Sequence, residues 1–64
     1  MVIKRVTFWS KNIYDEGEYK SDLDRLNDYI ADEKIDRSDI INVETDIDPR
    51  GNRCLNLFYW TETT

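Results

Sequence analysis

The 64-residue chain contains no histidine, a single cysteine (Cys54), a single proline (Pro49) and two glycines (Gly17 and Gly51). Each shortage removes a class of function. Without histidine there is no imidazole base, so no serine or cysteine triad of the usual kind can be assembled. A lone cysteine forms no intramolecular disulfide and builds no zinc site. Two glycines far apart in the chain cannot form a phosphate-cradling loop. No apolar run approaches the ~20 residues of a membrane-spanning helix, and the first residues lack the apolar core of a signal peptide. With one thiol and neither of those segments, the sequence predicts a cytoplasmic protein that does not engage a membrane.

The same absences bear on stability. A domain of this length buries roughly 60% of the surface its unfolded chain exposes, and small domains usually add disulfides, a metal or an oligomer interface. With the first two excluded, oligomerisation is the route the composition leaves open.

Charge, by contrast, is abundant and uneven. Residues 1–14 carry Lys4, Arg5 and Lys11 and no acid. Residues 15–39 carry ten acids against four bases, and residues 40–64 carry four acids against two bases. The formal net charge is −5. An acidic middle repels phosphate backbones, so direct nucleic-acid binding is disfavoured.

Hydrophobic patterning predicts four elements. Residues 2–9, "VIKRVTFW", are β-branched and aromatic and read as a strand. Residues 10–17, "SKNIYDEG", read as a loop closing on glycine. Over 18–34, Tyr19, Leu23, Leu26 and Ile30 recur at helical spacing, with Asp24, Asp28 and Asp32 on the opposite side. Asp15 or Ser21 is the candidate cap. Residues 40–47 alternate, with Ile41, Val43, Thr45 and Ile47 against Asn42, Glu44 and Asp46. "DPRGN" supplies a turn, and 53–61 returns as the second arm of a hairpin. The tail "TETT" is expected to fray.

The predicted fold is therefore α+β: a single β-α-β-β domain, one helix on a three-stranded antiparallel sheet. The return strand is apolar on both faces, as a central strand should be, which predicts strand order 2-3-1 with a right-handed crossover through the helix. Val6, Phe8, Val43, Leu55, Leu57 and Tyr59 should meet Leu23, Leu26 and Ile30. One helix covers one face. The other is expected to carry Trp9, Phe58 and Trp60, with Ile3 and Cys54 beside them.

Cys54 lies within a strand, with no histidine or helix N-terminus beside it to activate the thiol, and reads as a core residue. Glu44, Asp46 and Asp48 resemble the start of a calcium loop. Pro49 stands where glycine is required, however, and no closing glutamate follows, so no metal site is expected. Asp46 and Asp48 would be the first positions to mutate if any reaction were found. The stripe Asp24, Asp28, Asp32 places carboxylates roughly 6 Å apart along a helix. That spacing suits a nucleic-acid mimic that inhibits a basic enzyme, although Lys20 and Arg25 interrupt the stretch. Aromatics near Lys4, Arg5, Lys11 and Arg53 suggest base stacking, which the net charge and the missing motifs oppose. Exposed aromatic patches mark interfaces. The leading expectation is thus a non-catalytic interaction module without a cofactor, self-associating or docking a protein partner through Ile3, Trp9, Cys54, Phe58 and Trp60.

Tyr14-Asp15-Glu16, then "DLDRLNDYI" from Asp22 to Ile30, then "DIINV" and a closing apolar strand, resemble the short acidic sporulation proteins of Bacillus and their phage relatives. The resemblance spans most of the chain and implies a bacterial or phage cytoplasmic protein with a non-enzymatic role. The longer entry "SKNIYDEGEYKS" and the tryptophans depart from that pattern. The β-α-β-β order is also similar to that of dodecins, but the flavin-stacking aromatic and its glutamine neighbour have no counterpart here.

Overall fold

The run Arg53–Thr61, apolar on both faces, takes the centre of the sheet. The structure, a computed structural model, describes residues 1–10, 13–15 and 18–62. Its elements are β1 (Val2–Trp9), β2 (Ile13–Asp15), β3 (Glu18–Lys20), α1 (Asp22–Asp32), a 3-10 turn (Arg37–Asp39), β4 (Ile40–Ile47) and β5 (Arg53–Thr61). β1 and β4 flank β5, each antiparallel to it. This is the predicted α+β class, with the predicted strand order.

The segment read as a loop is partly a second, two-stranded ribbon: β2 pairs with β3, with Tyr14 opposite Tyr19. Residues 11, 12, 16 and 17 of that segment lie outside the described residues, as do the last two residues of the tail. Because 18–20 pair as a strand, the helix starts later than its periodicity suggests. Ser21 is its cap. The Ser21 hydroxyl accepts from the Asp24 N–H at 3.0 Å, and the Asp24 carboxylate accepts from the Ser21 N–H at 3.3 Å. This reciprocal box satisfies two backbone donors at the helix start.

The helix stops without glycine. The Ile35 N–H donates to the Ile30 carbonyl and the Lys34 N–H to the Ala31 carbonyl, while Lys34 adopts φ 52°. That left-handed position favours glycine. Lys34→Gly is therefore expected to raise stability by about 0.5–1 kcal/mol, read from the urea midpoint.

Phe8, Leu26, Leu57 and Tyr59 form the core, flanked by Val6, Tyr29, Ile30, Ile35, Ile40 and Leu55. The Tyr29 ring meets those of Phe8 and Tyr59 edge-on, at centroid separations of 5.7 and 6.2 Å. Its hydroxyl lies 2.8 Å from that of Tyr59.

Two core expectations need correction. Leu23 is 54% exposed, and Asp22 takes the inward place instead. The Asp22 carboxylate accepts from the Leu23 N–H at 2.9 Å and from the Arg53 guanidinium at 3.4 Å. On the same flank of the helix as Asp22 and Tyr29, the Arg25 guanidinium donates to the Trp9 carbonyl. These polar ties rotate the helix away from the purely apolar stripe. Val43 is also exposed, because α1 packs over β1 and β5 rather than β4. Ile41, expected beside Val43, falls where the register shifts: Ile40 opposes Tyr59, and Asn42 already opposes Phe58.

Asp48 organises the β4–β5 turn. Its carboxylate accepts from the N–H groups of Arg50 and Asn52, both at 2.9 Å, and from the Asn52 side chain at 3.2 Å. The Asn52 N–H is the main cause holding this exposed carboxyl below its ordinary 3.8. Gly51, at φ +85°, supplies the left-handed residue that the turn requires.

Candidate functional site

The face of the sheet opposite α1 is built by strand alternation. Ser10 donates to the Arg53 carbonyl at 2.8 Å, so the pairs on this face fall at the non-hydrogen-bonded positions, where opposed side chains sit closest. They are Ile3 with Trp60, Arg5 with Phe58, Thr7 with Asn56 and Trp9 with Cys54. β4 extends three of these rows with Asn42, Glu44 and Asp46. Among the described residues, no helix or second sheet packs broadly over this face.

The residues expected here do share the face, but they do not form one cluster. Ile3, Phe58 and Trp60 gather at one end. Trp9 and Cys54 lie at the other, about 20 Å from the Ile3–Trp60 row and about 13 Å from Phe58 at ~3.3 Å per residue. Between them the Thr7 hydroxyl donates to Asn56 Oδ1 at 2.7 Å. Asn56 in turn points its amide at Cys54 Sγ, 3.9 Å away. Ile3, Trp9 and Trp60 are 55%, 38% and 40% exposed. Cys54 is buried and presents little surface.

Charge crosses the face as well. Arg5 stands on β1, and Glu44 and Asp46 on β4, all exposed. Sequence reasoning overlooked this gradient because the two strands are distant in the chain. The signal was present in the alternation that puts Arg5 and Glu44 on the aromatic face.

The other candidates are spent locally. Asp24 belongs to the helix cap, and Asp28 pairs with Lys20 at 3.6 Å, so two of the three stripe carboxylates already have partners beside Asp32. Asp46 accepts from the Ile47 N–H at 2.8 Å, and Asp48 holds the turn. A cleft of about 250 Å³ near the helix C-terminus is lined by Met1, Glu33, Lys34, Asp39 and Trp60 among others. Among the described residues, no three side chains of metal-ligating type converge, and no helix is long and apolar enough to cross a membrane.

Compared with protein-family models, with curated proteins and with solved structures, the chain matches none.

Proposed function

We propose that this protein is a small, non-catalytic interaction module that binds another protein surface through the open face of its sheet. The observation that carries the reading is the pair of tryptophans left about two-fifths exposed on a face over which, among the described residues, no covering layer packs. Tryptophan is among the most enriched residues at binding hot spots, since a large rigid ring gains much on desolvation and loses little side-chain entropy. The cation and the carboxylates around the tryptophans give such a surface its orientation. The single thiol is in keeping with a reducing, cytoplasmic setting.

Trp60→Ala is expected to weaken association roughly 30-fold or more, the effect of a hot-spot residue, while far-UV circular dichroism stays unchanged. Trp9→Ala, at the other end, should weaken it less, because Cys54 beside it presents little further apolar surface. Molar mass by sedimentation reads self-association, and capture from bacterial lysate with the double variant as control reads foreign partners. If both variants behave as wild type in both measurements, the face is not an interface.

A further inference from the structure

We propose that the surface covering this face is a second copy of the same chain, docked face to face about a two-fold axis running along β5. The inference rests on the interaction reading above and adds the partner and its alignment. Two-fold pairing is the commonest way a chain covers its own exposed patch.

The charge gradient selects the axis. A two-fold parallel to the strands preserves height along them and exchanges the two flanks of the sheet. β1 of one copy then lies across β4 of the other. Arg5 comes level with Asn42, whose amide donates to the Glu44 carboxylate at 3.2 Å and so draws that charge toward the Arg5 row. Trp9 comes level with Asp46, where its indole N–H has a carboxylate to donate to. On the axis itself, Phe58 and Trp60 of β5 meet their own copies. A two-fold perpendicular to the strands would instead lay β4 on β4, bringing the Glu44 and Asp46 carboxylates of one copy against those of the other. Like charges so opposed are strongly disfavoured. Among the described residues the ion pairs are Lys20–Asp28 and Arg53–Asp22, so Arg5, Glu44 and Asp46 enter the contact without a cation–carboxylate partner of their own.

Growth through the sheet edges is less favoured. On β4 the N–H groups of Val43 and Ile47 are taken by the side chains of Asn42 and Asp46, at 2.9 and 2.8 Å. On β1 the Trp9 carbonyl is taken by Arg25. Edges occupied in this way resist strand addition.

The test is a charge exchange read by sedimentation equilibrium from about 1 µM to 1 mM. The wild type should dimerise. Arg5→Glu alone, and Glu44→Lys with Asp46→Lys alone, should each dimerise at least about tenfold more weakly. An equimolar mixture of the two should form a heterodimer of near wild-type affinity, because both contacts in it pair opposite charges. A wild type that stays monomeric, charge variants that dimerise like wild type, or a mixture that fails to recover would each overturn the proposal. Trp60→Ala separates the two levels. If it abolishes a dimer indifferent to charge, the face reading and the self-pairing stand and the alignment along β5 falls. If it abolishes the binding of a foreign protein by a monomeric wild type, the face reading stands and the self-pairing falls. If it affects neither, both fall.

Discussion

Leu57→Ala is expected to remove about 2–5 kcal/mol of stability, the range for deleting a buried leucine side chain. Leu57 is wholly buried at the centre of β5, between Val6 on β1 and Val43 on β4, and is part of the core cluster under α1. The loss combines removed apolar contact with a cavity that neighbouring strands, pinned by their hydrogen bonds, cannot close. A chain of this length has only about 3–10 kcal/mol in total. The variant should therefore be largely unfolded, or nearly so, in a urea titration followed by far-UV circular dichroism. Val43→Ala is the control. It lies on the same sheet face but at the uncovered flank, and should cost well under about 1 kcal/mol. Equal losses at the two sites would mean that the core is not centred on β5.

Tyr59→Ala is expected to cost about 3–5 kcal/mol, and Tyr59→Phe only about 1 kcal/mol. The difference separates ring from hydroxyl. The ring is buried against Tyr29 in an edge-on contact, whereas the hydroxyl contributes one hydrogen bond to Tyr29. The hydroxyl also gives an alkaline signature. Burial first, and then the bond to Tyr29, raises its pKa above the ordinary 10.0. The folded state thus holds this proton more tightly than the unfolded chain does. The corresponding stabilisation is complete below pH 10.0 and is lost as pH rises through the folded value. Tyr59→Phe should flatten that decline above pH 10.0, read from urea midpoints. If the slope is the same in the variant, the hydroxyl is not the group that titrates with unfolding.

What was legible in the sequence followed from local rules. Alternation and β-branched content located three strands, and the doubly apolar face of 53–61 placed it at the centre. The helical period located α1, and Ser21 was among the candidate caps. The rest was decided by competition between elements. Residues 18–20 have the spacing to extend the helix, yet they pair with 13–15, because a short strand pairing outcompeted the helix's weakest turn. Lys34 ends the helix where no glycine signalled a stop.

For the candidate site, the alternation in the sequence assigned Ile3, Trp9, Cys54, Phe58 and Trp60 to one side of the sheet, since side-chain direction in a strand has period two. Their separation into two ends awaited the β1–β5 register, and so did the Arg5-to-Glu44 gradient. Register depends on partners 45 to 59 residues apart, which no local pattern encodes.

By itself, then, the sequence determined the three long strands and the helix, the order of those strands in the sheet and which residues share a face, because propensity and periodicity are properties of neighbouring residues. Only the tertiary structure decided that Asp22 rather than Leu23 turns inward, that α1 leaves β4 uncovered, and that the aromatics stand apart across a polar middle. Those outcomes depend on the rotation and offset of one element against another. Contacts such as Arg53 to Asp22 and Arg25 to the Trp9 carbonyl set them, between residues the chain brings together only when folded.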